Sequence, residues 1–549
     1  MSPPGTCDGG KASEYDVRSR LRIRRDSATT ANVAQSESLD PGQRRVLLGV
    51  CVVVGAATTV SASYNFVVVP MLHGLRASES QGSLLRQLPS IAGLLVIFLA
   101  GVLGRRWGER RFIERCALLF TFGNVAVAMA PGMGVAAGGL VLESIGSTGL
   151  FVVTLALLSA QVSSEEARAS AFATYTMVGS IVYLGIPPLT GFIVDHSSWR
   201  LVAVVWALSG VVILIASRAL LPRDAEIDDS RELLTPALAG VVLMAAVQTV
   251  SAADRDGLLS TAVLVRLGIG LVAFVTLYRV FPRTESPSLS LAALRQGGMS
   301  LLLVIVILVS FANLWFYMTV GFQYLYGLNE LRTAVAMLPA QAAGIVGAVI
   351  ASRILRKKGT TFAGIVLLVA LAVSLLLSTL ITADSPIWVP IVVMSVYAAA
   401  SVGASIPLTN AVMNLAPQGE DGSASAFRSA AGNVGTAVGV VVMTTIVFSA
   451  FSASLANTLA REGLDSEQSA VIAESIREGV TSEDVSAKYS VPLQQVEQIA
   501  DAQRDAMADG LRAHGLSGAA FTVVCLGIFY WSRRRQAQAA EPSPTTPAR

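Results

Sequence analysis

From about residue 46 to residue 532 the chain is a succession of apolar runs separated by short polar breaks. A helix that crosses the hydrocarbon core needs about 20 mostly apolar residues, so each run predicts a membrane span. Fourteen such runs are found. The first six cover roughly 46–71, 84–104, 112–131, 134–161, 169–194 and 199–221. Two follow at about 234–252 and 258–281. The last six lie at about 299–326, 333–355, 361–382, 387–415, 425–452 and 516–532, the final one being the shortest. An even count puts both termini on one side of the membrane.

The charges between the runs orient them, because short cytoplasmic loops hold the excess of Lys and Arg. Loops on the side of the termini contain Arg105, Arg106, Arg110 and Arg111, then Arg279 and Arg283, then Arg353, Arg356, Lys357 and Lys358. The opposite loops carry only single cations such as Arg76, Arg200, Arg255 and Arg332. Both termini are therefore expected in the cytoplasm. Residues 1–45 read as a disordered cytoplasmic tail, too long before the first apolar run to be a signal peptide; residues 533–549, opening on Arg533, Arg534 and Arg535, read as a second tail. Segment 453–515, with eleven acidic and five basic residues, is expected outside as a loop with surface helices around Val471–Ile476 and Val491–Ile499.

Composition agrees with a membrane protein. Of 549 residues, 53% are hydrophobic and 14% charged, against about 25% charged in soluble domains. The net charge of +3 is spread in small clusters, which gives no support for a nucleic-acid partner. The chain has no Gly-x-x-x-x-Gly-Lys-Ser/Thr sequence, so no nucleotide partner is implied. Cys51, Cys116 and Cys525 fall in apolar runs and Cys7 in the tail, with no metal or disulfide spacing. His73, His196 and His514 fall at or beyond span ends. No catalytic constellation and no cofactor motif appears, so the expectation is a protein that is not an enzyme and needs no cofactor.

An internal repeat organises the spans. Gly101-Val-Leu-Gly-Arg-Arg-Trp-Gly108 matches Ser352-Arg-Ile-Leu-Arg-Lys-Lys-Gly359 at an offset of 251, and Ala169-Ser-Ala-Phe172 recurs as Ala424-Ser-Ala-Phe427 at an offset of 255. Duplicated halves are a signature of secondary transporters. Residues 46–221 and 299–532 are then two six-helix halves, and 222–298 holds two inserted helices with their linkers.

These segments resemble the fourteen-span drug:proton antiporter branch of the major facilitator superfamily, over nearly all of residues 45–535. The loop Gly101-x-Leu103-x-x-Arg106-x-Gly108-x-Arg110-Arg111 is similar to that family's Gly-x-Leu-x-Asp-Arg-x-Gly-Arg-Arg loop, with Arg105 where the acid stands. Gly185-Ile-Pro187-Pro188-Leu-Thr-Gly191 is similar to its Gly-Pro-x-x-Gly antiporter motif, whose prolines and glycines let a helix bend. Trp199-Arg200, Pro70 and Pro339-Ala-Gln341 also fit the branch. Ser61 stands where the branch has an acid in span one, and Leu142 or Glu143 where it has an arginine in span four. The resemblance implies an all-α polytopic protein of the plasma membrane with the major facilitator fold, exporting hydrophobic or amphipathic organic compounds, drugs or metabolites, in exchange for protons.

The residues themselves offer candidates for that work. A membrane-embedded acid costs roughly 3 kcal/mol on insertion scales, so it is usually functional or paired. Glu143 is the one acid deep in any predicted span, and Arg266 in span eight is read as the other buried charge. A carboxyl at Glu143 can carry a proton while its site is dry and release it when the cavity hydrates or a cationic substrate arrives. Tyr64, Asn65, Asn313, Trp315 and Tyr317 supply aromatic rings with sparse amides, suited to a greasy cavity for planar or cationic molecules. Asn410 and Asn433 either line that cavity or join helices. Gly432, Gly435 and Gly439 put small residues along one face for close helix packing. Two other readings use the same features: export of lipid-like molecules, and a transport-inactive scaffold or sensor.

Overall fold

A computed structural model describes residues 40–540 except 77–78, 163–164, 224–231, 258–259, 284–293, 295–297, 329, 417–419, 462–485, 487–488 and 490. Every regular element among the described residues is helical. A bilayer demands this, since a spanning chain without water must satisfy its own N–H and C=O groups. The first half comprises α1 (Pro41–Gly74), α2 (Glu79–Trp107), α3 (Glu109–Ala128), α4 (Met133–Gln161), α5 (Glu165–His196) and α6 (Trp199–Leu220). Two further helices follow, α7 (Leu234–Asp256) and α8 (Thr261–Val280). The second half comprises α9 (Met299–Phe311), α10 (Trp315–Tyr326), α11 (Glu330–Ala336), α12 (Leu338–Leu377), α13 (Trp388–Met413), α14 (Asp421–Arg461) and α15 (Leu493–Ala540).

By length and apolarity, 12 helical stretches among the described residues can cross a membrane, against fourteen runs in the sequence reading. Two places make the difference. Every eighteen-residue window of α3 holds at least three charges, drawn from Glu109, Arg110, Arg111, Glu114 and Arg115. The stretch Leu331–Leu380 counts once, although Gly359 inside it leaves the helical region with φ 79° and ψ 170°. Gly359 is the repeat-mate of Gly108, which caps α3 with φ 84° and ψ 137°. Both repeats thus turn the same corner on a glycine, the residue that adopts positive φ without a Cβ clash.

The halves meet tightly at the arginine-rich end. Arg168 Nη1 donates to Asn414 Oδ1 at 2.9 Å, and Ser425 Oγ donates to the Val152 carbonyl at 2.5 Å. The Phe98 and Phe427 rings meet edge to face at 5.5 Å. A Cβ on Gly101 would lie 2.5 Å from the Gly422 carbonyl oxygen, so the backbones of α2 and α14 touch there. The inserted pair stands to one side: α7 packs on α2 and α14, and α8 on α7. Leu267, Leu271 and Val272 of α8 are more than half exposed, as a lipid-facing surface requires.

Two details differ from the sequence reading. The last helix starts at Leu493 rather than near 516, and α14 runs on to Arg461. Val491, Val496, Ile499 and Ala502 bury against Leu459, forming a small apolar cluster of their own. The amphipathic stretch Val491–Ile499 is therefore the start of α15, while Val471–Ile476 lies outside the described residues. The ninth predicted span is broken at Ala312–Leu314. There the Tyr397 hydroxyl donates to the Ala312 carbonyl at 2.9 Å and accepts from the Leu314 amide at 3.1 Å, serving groups the helix has released.

Candidate functional site

Three cavities run between the halves and share one residue, Ser61 of α1. The first, about 370 Å³, contains Glu143. Small residues bring the acid there: α4 presses its backbone at Glu143 against Gly123 of α3, where a Cβ would meet the Glu143 amide nitrogen at 2.6 Å. Glu143 is 4% exposed, its carboxyl has Ser147, one turn along, as hydrogen-bonding neighbour, and no cation pairs with it among the described residues.

The opposite wall is shaped by Pro89 of α2. A proline has no N–H, so the carbonyl of Leu85, four residues earlier, loses its helical donor. The Tyr64 hydroxyl donates to that carbonyl at 3.1 Å, and Ser144 Oγ donates to the carbonyl of Pro89 itself. Tyr64 therefore both lines the cavity and caps the break. Asn433 and Ser429 of α14 complete the lining from the second half.

The second cavity, about 400 Å³, shares Ser61, Phe151 and Ser429 with the first and contains Arg428, Tyr175 and Thr409. Arg428 Nε donates to Thr409 Oγ1 at 3.2 Å. The third, about 530 Å³, shares Ser61, Gly179 and Tyr183 with the second, and Asn313, Trp315, Gln341 and Pro187 line it. Asn313 sits in the break between α9 and α10, where its Oδ1 accepts from the Trp315 amide at 3.1 Å. Discontinuous spans at the repeat interface are where transporters place substrate sites.

The structure thus gathers Tyr64, Glu143 and Asn433 in one cavity and Asn313, Trp315 and Pro187 in another. Two expected cavity residues are helix ties instead. Tyr317 is 2% exposed, and its hydroxyl donates to the Val440 carbonyl at 3.1 Å beside Thr444 Oγ1 at 3.0 Å, joining α10 to α14. Asn410 is fully buried, and its Nδ2 donates to Thr360 Oγ1 at 3.0 Å, joining α13 to α12. The side chain of Asn65 lies outside the described residues. Arg266 of α8 makes no ion pair with Glu143 among the described residues.

The motif residues lie at the two ends. Gly101, Arg105, Arg106, Gly108, Arg110 and Arg111 occupy the corner between α2 and α3, where Arg110 pairs with Glu114 at 3.2 Å. Gly185, Pro187, Pro188 and Gly191 lie within the continuous helix α5. A Cβ on Gly191 would meet Leu331 Cδ1 at 3.5 Å, so this face of α5 approaches the second half. His514 is not at a span end: it is fully buried in α15, with Nε2 3.3 Å from the Asn313 carbonyl oxygen and its ring 4.7 Å from Tyr317.

Sequence reasoning missed Arg428, whose position just inside an apolar run looks like a loop flank. It also missed Ser61 as the junction of the cavities, though the position had a signal as the place of the absent acid.

Known proteins give the same frame. The chain is 24% identical over 459 residues to the drug efflux pump JefA of Mycobacterium tuberculosis, covering 81% of this chain and 89% of that one. It is 25% identical over 397 residues to the multidrug resistance protein Stp of the same organism, covering 70% and 72%. The crystal structure of the human organic anion transporter MFSD10 superposes with a TM-score of 0.59 at 12% identity, covering 89% of this chain and 100% of that one, a likeness of fold. With the sequence profile of the Major Facilitator Superfamily matching residues 49–440, the chain belongs to that family of multi-pass membrane transporters.

Proposed function

We propose that this protein exports hydrophobic and amphipathic organic molecules in exchange for protons, by alternating access, with Glu143 as the proton carrier. The observation that carries the reading is a buried carboxyl without a cationic partner among the described residues, lining a cavity between the halves. Such a group is expensive in the membrane interior unless it works or is paired. The efflux names of the relatives support the direction of transport.

We read the chain as crossing the membrane fourteen times, with both termini in the cytoplasm. A straight 50-residue helix over Leu331–Leu380 would be about 75 Å long, more than twice a hydrocarbon core of about 30 Å. The corner at Gly359 makes it two crossings. Helix α3 supplies the other, its charges all in the first two turns, where they can stay at the interface. The arginine-rich end is then cytoplasmic. Since the halves touch there through Gly101 and Gly422, this conformation is closed to the cytoplasm. In the cycle, Glu143 receives a proton from outside, the halves rock about the cavities, and substrate entering from the cytoplasm drives the proton off.

The test is proton release from proteoliposomes of purified protein while lipophilic cationic dyes and antibiotics are screened. Substrate-evoked proton movement that vanishes in Glu143→Gln supports the mechanism. Uphill, gradient-driven substrate movement indifferent to the substitution removes it and favours uncoupled transport.

A further inference from the structure

The first two cavities hold opposite charges that do not meet. Glu143 lines one and Arg428 the other, with Ser61, Phe151 and Ser429 forming the wall common to both. Ser429 follows Arg428 in sequence and lines both cavities, so the two cavities adjoin through these three residues. Arg428 spends one donor on Thr409, and no carboxylate pairs with it among the described residues. Glu143 likewise has only a hydroxyl neighbour.

An uncompensated charge inside a membrane protein is costly unless it is paired or at work. Here each instead faces open volume. A guanidinium with free donors matches a carboxylate through its planar fork. A carboxylate without a partner matches an ammonium group. Phe151, Tyr175 and Tyr183 add rings around the gap. Each cavity is of the size range that holds small organic ligands, about 300–1,000 Å³.

We propose that the adjoining cavities of Arg428 and Glu143 form one site for a zwitterionic amphiphile, whose anionic group lies on Arg428 and whose cationic group lies on Glu143. The inference rests on the export reading and narrows it: the cationic group displaces the proton of Glu143, while the anionic group removes the desolvation cost of Arg428. A substrate with both charges therefore binds better than a relative with either one alone.

Three matched probes test this with purified full-length protein: Nα-dansyl-lysine, which is zwitterionic; its methyl ester, a cation; and its Nε-acetyl derivative, an anion. Binding is followed by dansyl fluorescence in detergent, and movement in proteoliposomes. Wild type should prefer the zwitterion by about tenfold or more over each relative, the size of one charge-assisted hydrogen bond. Arg428→Gln should abolish the preference over the ester, Glu143→Gln the preference over the acetyl derivative, and Arg428→Lys should keep part of the first. Should Arg428→Gln not fold, as judged by gel filtration, the wild-type ranking and the lysine variant decide the matter.

Equal binding of the three probes, or a preference over the ester that survives Arg428→Gln, overturns the proposal. If wild type moves the ester but discriminates none of the probes, the zwitterion site fails and export stands. If it moves neither these probes nor lipophilic cations, the export reading fails and takes this one with it.

Discussion

Helix α1 runs unbroken for 34 residues through Pro70, whereas its counterpart in the second half stops at Phe311 and restarts at Trp315. The first half keeps α1 continuous, and an acid stands on the neighbouring α4. The second half gives up a turn of helix beside the third cavity and uses Asn313, Tyr397 and the imidazole of His514 around the released groups. The two halves share an outline but divide the labour. One presents a buried carboxyl beside a continuous helix; the other presents a broken helix and aromatic side chains. A duplicated fold can specialise in this way because each half needs to supply only part of the site.

The largest effect expected is at the acid. Glu143→Gln keeps the size and hydrogen bonding of the side chain but cannot exchange a proton, so substrate-driven proton movement in proteoliposomes should fall to background. Downhill movement of an uncharged substrate, which has no cationic group to place on the carboxylate, should persist, which separates coupling from binding. If downhill movement stops as well, Glu143 is part of the substrate path itself, and the division of labour between the halves is less complete than drawn.

Next comes the closure between the halves. Gly101→Val puts a branched side chain where even a Cβ would lie 2.5 Å from the Gly422 carbonyl. Overpacking of this kind costs roughly 1–3 kcal/mol, which shifts a two-state population by roughly 5- to 150-fold. A cysteine introduced at Ser425 should then become reactive to an impermeant maleimide from the arginine-rich side, and turnover should fall in proportion. Unchanged labelling would mean that this contact does not hold the end shut.

A smaller effect is expected at the break in the second half. Tyr397→Phe removes a hydroxyl that serves both the Ala312 carbonyl and the Leu314 amide. Leaving buried backbone groups unserved costs about 1–3 kcal/mol. The melting temperature should drop, and the binding of aromatic substrates should weaken with it. A side-chain tie to α1 in the first half, Trp206 Nε1 to Ser63 Oγ at 2.7 Å, leaves no backbone group unserved when lost, so Ser63→Ala should cost less.

What the sequence made legible follows the range over which its signals act. Spans, the repeat and its corner glycines are local patterns, and Glu143 stands out because a lone charge interrupts an apolar run. The break at Ala312–Leu314 was hidden, since its one turn-forming residue, Asn313, reads as an isolated polar residue in an apolar run that continues across it. The early start of α15 was hidden because a helix that leaves the lipid stops being apolar without ceasing to be helical. Arg428 lies three residues into a run and reads as its flank. For Tyr317 and Asn410 the residue type suggested a cavity, but which face of a helix meets a cavity and which meets another helix is decided by packing that no single segment contains.

The smallest effects sharpen the comparison most, because they bear on where the halves are the same. Gly108 and Gly359 hold φ of 84° and 79° at equivalent corners. A Cβ on Gly359 would have no neighbouring atom within 4 Å, so the strain of any substitution there is that of the backbone alone. With ψ of 137° and 170° both lie beyond the left-handed helical region, in backbone space used almost only by glycine, where alanine costs roughly 1–3 kcal/mol. Gly108→Ala and Gly359→Ala should lower the melting temperature by similar amounts, and the double variant should show additive losses, since sites without shared partners act independently. A much smaller loss at Gly359 would mean that α12 can straighten through its corner. That would leave the second half with one long helix where the first has two, and the repeat would survive in sequence but not in mechanics.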